Sequence, residues 1–247
     1  WGDPAFDPNA VVASAGSAGA VRSVAVTRSV DAQQRNIMDA ANYVAYSKIP
    51  PLPETRDEVQ QLASILQADP RSDLILGHEA TRASVLRQSA AGHLAKKQVV
   101  VFATHGLLAG DLPNLNQPAL AMAATKNPQE SPLLTLEDVL GLRLNADWVV
   151  LSACNTAGAD GKAEEAMSGL ARGFFYAGSR SLLVTHWSVE SESAMLLTTR
   201  TFNAYQKDPS LRRAEALRQA MLETMRMPRF AHPTYWAPYA LVGEGGR

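Results

Sequence analysis

The sequence predicts an α/β protein whose mainly parallel central sheet is flanked by helices. Two short runs rich in Val and Leu, residues 99–106 and residues 148–156, are typical of buried parallel strands that end abruptly in polar residues. A third apolar run at residues 181–185 has the same character. Helix-type patterns separate these runs, and such alternation is typical of parallel sheets with crossover helices.

The remaining elements follow from local patterns along the chain. Residues 1–20 are rich in Gly, Ala, Ser and Pro and are expected to form a loop. The expected strands are residues 21–26, 74–76, 99–103, 148–153, 181–185 and 235–242. The expected helices are residues 32–45, a helix starting near Thr55, and residues 81–90, 135–138, 163–176, 191–205 and 210–225. Residues 107–132 carry Pro and Asn and are expected to be a long loop that shapes a site.

Local signals at the helix ends support these expectations. Asp31, Thr55 and Thr81 stand where an N-cap residue is preferred. The prolines of residues 50–53 form a stiff break before the second helix. Gly178 follows the helix that begins at residue 163, in the position where a left-handed residue often ends a helix.

Composition excludes several classes of function. The 247 residues include 46% hydrophobic residues, which suits one large domain or two small ones. The net charge is -1 with no long same-sign run, so nucleic acid and anionic membranes are poor partners. No apolar stretch is long enough to span a bilayer. The chain begins with Trp1 rather than Met, so we expect it to be a fragment or a processed form.

The protein has one cysteine, Cys154. A single cysteine excludes an internal disulfide framework and a Cys-rich zinc site, and it fits a reducing compartment, so we expect a cytoplasmic location. The histidines other than His105 have no metal-like spacing with carboxylates or the cysteine. We therefore expect no metal and no cofactor.

Cys154 and His105 each follow an apolar run, which indicates nucleophilic cysteine chemistry. The carboxyl ends of neighbouring parallel strands share one edge of a sheet, so a thiol and an imidazole can meet there. Gly106 allows a sharp turn and a bare backbone N–H, and the amides of Gly106 and Cys154 together suit an oxyanion. The cysteine follows the histidine by 49 positions, close to the spacing in caspases, although the local caspase cysteine signature is absent.

Ordinary structural roles compete with this interpretation. A free cysteine is among the most buried residue types and usually only packs, and a lone histidine is equally weak evidence. The context of Cys154 favours chemistry, because polar Asn155 and Thr156 and a glycine-bearing loop follow it.

Several segments together resemble the CHAT domain, the caspase-like domain often found beside tetratricopeptide repeats in bacteria and related to separase. The matching segments cover nearly the whole chain: residues 2–4, 52–59, 104–106, 151–156, 169–172, 176–181, 186–189, 232–239 and 241–243. The resemblance implies a caspase-like three-layer sandwich and a single domain over residues 1–247. Within it we expect an N-terminal loop, strand and helix part at residues 1–50 and a peptidase core at residues 51–247.

The resemblance implies a cysteine endopeptidase with a Cys–His dyad and no cofactor. Cys154 would attack the scissile carbonyl, His105 would protonate the leaving amine, and Gly106 and Cys154 would hold the oxyanion. The partners implied are a protein substrate and an upstream repeat or regulatory domain, with no direct contact to nucleic acid or membrane. A catalytically silent caspase-like scaffold that binds partners is the alternative, and another acyl transfer by the same dyad is a third.

Substrate contacts are expected after the strand at residues 181–185. By resemblance, Trp187 forms a wall of the substrate cleft. The family often has two aspartates near this place, and an acid here binds a basic P1 side chain in separase-like relatives. This chain has Glu190 and Glu192 instead, which leaves the preference for Arg or Lys open. The competing interpretation is that both glutamates only begin a helix, where acids favour the dipole.

Overall fold

A computed structural model describes residues 1–9, 44–127, 130–152, 162–187 and 189–246, with the backbone alone for residues 162–168. The central sheet has six strands in the order β2-β1-β3-β7-β8-β9, and all described neighbours pair in parallel except β8 and β9. These strands are β1 (Gly2–Pro4), β2 (Leu76–Gly77), β3 (Val99–Ala103), β7 (Trp148–Ser152), β8 (Ser181–Thr185) and β9 (Tyr239–Gly243). The predicted α/β class with a mainly parallel sheet is confirmed.

Helices cover both faces of this sheet and form three layers. The helices are α1 (Glu54–Ile65), α2 (Pro70–Asp73), α3 (Arg82–Ala90), α4 (Leu136–Leu140), α5 (Lys162–Tyr176), α6 (Ser191–Lys207) and α7 (Arg213–Met225). Val149 and Leu151 pack with side chains of α3, α4 and α5 on one face. Trp148 and Val150 pack with α1, α6 and α7 on the other, as the alternation along a strand requires. No helix in the described ranges is long and apolar enough to cross a membrane.

The two strands that carry the predicted site residues pair along their whole length. Val99 of β3 lies opposite Trp148 of β7, and Ala103 lies opposite Ser152, so the strands start and end together. His105 follows Ala103 by two residues, and in the sequence Cys154 follows Ser152 by two. The paired strand ends therefore lie at one edge of the sheet, as the argument from parallel strands predicts.

Residues 107–132 were expected to be one long loop, and this is wrong in part. Three short antiparallel strands form a second sheet in the order β4-β5-β6: β4 (Gly106–Leu107), β5 (Ala119–Ala121) and β6 (Leu133–Thr135). Leu107, Leu112 and Leu133 pack with Phe6 and Tyr46 in a separate apolar cluster. Strands of two or three residues are too short to show a periodic pattern in the sequence. Their stability comes from pairing with distant segments.

Two expectations near the N-terminus are also wrong. Residues 2–4 form β1 between β2 and β3 rather than a loop. Thr55 does not cap α1, because Pro53 precedes the helix without a side-chain hydrogen bond and Thr55 lies inside it. The Thr55 hydroxyl instead donates to the Leu52 carbonyl at 2.7 Å and accepts from the Asp3 amide at 2.8 Å, which joins the helix start to β1.

Other boundaries shift by a few residues. The strand expected at residues 74–76 is Leu76–Gly77, and the last strand begins at Tyr239 rather than at residue 235 because a 3-10 turn occupies Pro233–Tyr235. The helix expected from residue 210 begins at Arg213. The strand expected at residues 21–26 and most of the helix expected at residues 32–45 lie outside the described residues.

The predicted cap at Thr81 and the predicted helix end at Gly178 are confirmed, and a capping box at Thr135 was not predicted. The Thr81 hydroxyl accepts from the Ser84 amide at the start of α3. Thr135 and Asp138 form a reciprocal capping box at the start of α4. Gly178 has a φ of +109° after α5, where a non-glycine residue is strained.

Replacing Gly178 by Ala should destabilise the fold by roughly 2–3 kcal/mol, from backbone strain together with a steric clash. A Cβ there would lie 2.4 Å from the Leu144 carbonyl oxygen. Gly110 has a similar φ of +96° but no heavy atom within 4 Å of an added Cβ, so Gly110→Ala should lose only about 1 kcal/mol. Urea unfolding of both variants measures the difference, and equal losses would contradict a contribution from the clash.

Candidate active site

His105 lies just beyond β3, where the chain passes from the central sheet into the small sheet. The preceding residue fixes this turn, because the Thr104 hydroxyl donates to the Ala121 carbonyl. The Thr104 amide donates to the Ser152 carbonyl at 3.1 Å, which joins the end of β3 to the end of β7. His105 is 9% exposed, so its ring is largely withdrawn from solvent.

The His105 ring is held in one tautomer by a backbone carbonyl. Its Nε2 lies 2.9 Å from the Pro50 oxygen, and since a carbonyl only accepts, Nε2 carries the proton. The ring also packs against Phe6, with centroids 5.5 Å apart. Nδ1 has no hydrogen-bond partner within the described part of the chain. In the neutral ring Nδ1 is therefore the free basic nitrogen.

The charge state of His105 suits a base near neutral pH. Burial of the ring lowers the pKa of His105 below its ordinary value, against smaller opposing effects of the Pro50 hydrogen bond and the Glu54 carboxylate. A neutral imidazole can accept a proton, whereas an imidazolium cannot. The geometry and the pKa together give a ring that accepts a proton at Nδ1.

The Gly106 amide is directed away from the small sheet. The Ala121 amide donates to the His105 carbonyl at 2.9 Å, and Gly106 lies opposite Leu120 in the antiparallel pair. In this register Gly106 and Leu120 form a non-hydrogen-bonded pair, so the Gly106 N–H points away from β5. Such an N–H beside a histidine is available to an oxyanion.

Cys154, the predicted nucleophile, lies outside the described residues, as do its neighbours Asn155 and Thr156. The described chain reaches Ser152, the last residue of β7, which is fully buried. The distance between the His105 ring and the Cys154 thiol therefore stays a prediction.

The predicted substrate-binding glutamates lie at the start of α6. The Glu190 carboxylate caps the helix by accepting from the Ser193 amide at 2.8 Å. Glu192 forms an ion pair with Arg229 at 2.6 Å, and Glu190 lies 4.0 Å from the same guanidinium. The glutamates thus have the helix-start role given as the alternative, and they also bind a basic side chain of the protein itself. Trp187 is 41% exposed just beyond β8.

The sequence did not indicate a role for Glu54, which links the His105 region to the start of α6. Its carboxylate accepts a hydrogen bond from the Ser191 hydroxyl at 2.5 Å, at the start of α6. The negative charge of the same carboxylate opposes the lowering of the His105 pKa by burial. Glu54 therefore contacts the start of α6 and acts on His105 through its charge. The only sequence signal was the position of Glu54 at the head of a helix, which is typical of a dipole-favoured acid.

Within the described residues there is no cluster of His, Cys, Asp and Glu that could hold a metal ion. An open cavity of about 630 Å³ is lined by Val99 and Trp148, the first residues of β3 and β7. It lies at the opposite end of these strands from His105, so it is separate from the candidate active site.

A three-layer sandwich with a histidine and glycine beyond one parallel strand, beside a strand that leads to a cysteine, defines the caspase-like class of α/β domains. The chain belongs to the CHAT domain family, whose model matches residues 6–244. The resemblance inferred from the sequence is thus confirmed over nearly the whole chain.

Curated relatives match part of the chain. Tetratricopeptide repeat protein 28 of Mus musculus is 30% identical over 117 residues, which is 47% of this chain and 5% of that protein. Tetratricopeptide repeat protein 28 of Homo sapiens is 29% identical over 117 residues with the same coverage. The chain therefore spans about one twentieth of the length of these relatives.

Proposed function

We propose that this CHAT domain is a cysteine endopeptidase that uses Cys154 and His105. The observation that carries the proposal is the state of the His105 ring. Pro50 holds the proton on Nε2, burial lowers the pKa of the ring, and Nδ1 has no hydrogen-bond partner in the described part of the chain. The ring follows β3 by two residues, and the last residue of β3 pairs with the last residue of β7. A base oriented by a third group is the arrangement that activates a nucleophile.

The chemistry follows acyl transfer in two steps. The Cys154 sulfur attacks the scissile carbonyl carbon as its proton passes to His105 Nδ1, and a tetrahedral intermediate forms. His105 then protonates the amine as the carbon–nitrogen bond breaks, which leaves an acyl-enzyme. Water, deprotonated by His105, attacks the acyl carbon and releases the acid and the thiol. The Gly106 and Cys154 amides are proposed to hold the oxyanion in both steps.

A preference for basic P1 residues is supported by the charges near the site. Glu54 lies at the start of α1, and Glu190 and Glu192 lie at the start of α6. Arg229 already forms ion pairs with Glu190 and Glu192. Arg229 is 65% exposed, and an exposed ion pair contributes only about 0.2–1 kcal/mol. A substrate arginine can therefore replace it at little cost. Trp187 is proposed as the adjoining wall of the cleft.

The domain and partner assignments are also proposals. We propose one domain over residues 1–247, with residues 51–247 as the peptidase core. Phe6 and Pro50 contact His105, so residues 1–50 contribute directly to the site. The tetratricopeptide relatives support an adjoining repeat region and a protein substrate. A cytoplasmic location suits a thiol that must stay reduced, and bacterial origin stays a prediction.

Cleavage of three matched peptides with Arg, Leu or Asp at P1 tests the proposed activity and its specificity. The wild type should prefer Arg, and Glu192→Gln should lower kcat/KM for the Arg peptide about tenfold because one carboxylate charge is lost. Glu190→Gln should act in the same direction but less, since Glu190 also caps α6.

Glu215→Gln is the matched control. Glu215 forms an ion pair with Arg218 near the start of α7. Arg213, the first residue of α7, forms an ion pair with Asp147, which precedes β7. The start of α7 therefore lies at the opposite edge of the sheet from His105. This variant should cleave like wild type. Equal cleavage of all three peptides, or indifference to both site substitutions, would contradict basic specificity. No cleavage of any peptide would favour the silent scaffold.

A further inference from the structure

A buried carboxyl group lies beside the last residue of β7. Glu58, in the middle of α1, is 2% exposed, and its two oxygens lie 2.7 and 2.9 Å from the Ser152 hydroxyl. One of the same oxygens lies 2.8 Å from the Thr198 hydroxyl on α6. We call these three residues the Glu58 cluster. It joins two helices to the end of one central strand.

Stability alone does not account for this arrangement. Burial raises the pKa of Glu58 against the opposing effect of the Ser152 and Thr198 hydrogen bonds, and the Glu54 carboxylate adds a smaller rise. No Lys, Arg or His forms an ion pair with Glu58 in the described ranges of the chain. Burying an acid without a cation is costly, and an apolar side chain would fill the same volume without that cost.

The cluster lies at the end of β7, the strand that leads to Cys154 in the sequence, and Ser152 of the cluster contacts the residue before His105. The Ser152 carbonyl accepts from the Thr104 amide, next to His105, and the Ser152 hydroxyl contacts Glu58. Ser152 also precedes Cys154 by two residues in the sequence. The chain leading into α1 supplies the Pro50 carbonyl that orients His105. The segment before α1 therefore contacts the histidine, and α1 itself contacts the strand that leads to the cysteine through Glu58.

We propose that Glu58 is a positioning residue which, through Ser152, fixes the end of β7 and so the place from which Cys154 meets His105. This inference rests on the proposed function of the two residues. Neither Glu58 nor Ser152 reacts with substrate. Their effect is on alignment, and a misplacement of about 1 Å at a reacting group costs about 100-fold in rate.

Three substitutions break the Glu58 cluster at different points. Ser152→Ala removes the contact to the strand, Thr198→Val removes the contact to α6, and Glu58→Leu removes both. Glu58→Gln is the conservative variant, because its amide keeps the size of the side chain and an oxygen that accepts from the Ser152 and Thr198 hydroxyls. Ser152→Ala and Glu58→Leu should lower kcat about 10- to 100-fold with KM within about twofold of wild type, and Glu58→Gln should restore most of kcat.

Thr201→Val is the matched control. Thr201 is equally buried on α6, but its hydroxyl donates at 2.7 Å to Leu197 of its own helix. It should lower the melting temperature about as much as Thr198→Val, through loss of one buried hydrogen bond, while kcat stays unchanged. Measuring the melting temperature beside kcat thus separates loss of stability from loss of alignment.

Alkylation of the single cysteine by iodoacetamide gives a readout that does not depend on peptide cleavage. In Ser152→Ala the rate at pH 7 should fall at least about threefold, because His105 Nδ1 no longer lies where it can take the thiol proton. A wild type that cleaves no peptide overturns the proposed function, whereas the alkylation profile still tests the positioning role. Unchanged kcat and an unchanged alkylation rate in Ser152→Ala would overturn the role of Glu58. A loss of kcat in Thr201→Val as large as that in Ser152→Ala would overturn it too.

Discussion

Cys154→Ala should abolish peptide cleavage, with kcat lowered at least about 10⁴-fold, because the nucleophile of the proposed reaction is removed. The fold should remain nearly intact, since alanine and cysteine are both small. The measurement is cleavage of the Arg peptide by the purified variant, together with its melting temperature and far-UV circular dichroism.

Cys154→Ala also makes the protein free of cysteine. Iodoacetamide should therefore leave the mass of this variant unchanged, which checks its purity against the wild type. A folded variant that still cleaves at the wild-type rate would remove the claim that this chain acts through a thiol.

His105→Asn should lower kcat/KM about 10²- to 10⁴-fold, because the general acid–base is lost while Cys154 remains. His93→Asn is the control. His93 is hydrogen-bonded to Gln88 and lines the cavity at the opposite edge of the sheet. Its replacement should therefore leave kcat/KM within about twofold of the wild-type value. Similar losses in both variants would mean that His105 has no special role.

The pH dependence of the wild type tests the same residue without a substitution. Since the base must be neutral and burial lowers the pKa of His105, kcat/KM should fall only below the ordinary histidine value of about 6.5. Because the pKa of His105 is lower in the folded than in the unfolded state, its contribution to the free energy of unfolding is fully present above about pH 6.5. That stability is lost as the pH falls from there toward the folded pKa, since only the unfolded state gains a proton in that window.

The sequence predicted the elements whose signal is local. The apolar runs of β3, β7 and β8 each span five residues and alternate between two covered faces, so their position and parallel pairing followed from composition. The short strand β1 did not, because three residues hold their place only by pairing with β2 and β3. The cap at Thr55 was wrong for a related reason: its hydroxyl serves a contact with Asp3, 52 positions away.

The partners of the candidate site were harder to predict than its reactive residues. His105 and Gly106 were recognisable because they follow a strand, whereas the Pro50 carbonyl is 55 positions away in the chain. Glu58 had a usable signal. It shares a helix face with Leu62 and Ile65, at the spacing of one turn and two turns, and an acid on an apolar face is a candidate for burial.

The most direct test of the account is covalent labelling with a peptide acyloxymethyl ketone that carries arginine at P1. The account predicts one adduct per chain, located on Cys154 by peptide mass spectrometry, with labelling strongly slowed in His105→Asn and absent in Cys154→Ala. Labelling of another residue, or no labelling of a folded wild type at any pH between about 6 and 9, would contradict the assignment of Cys154 and His105 as the catalytic pair.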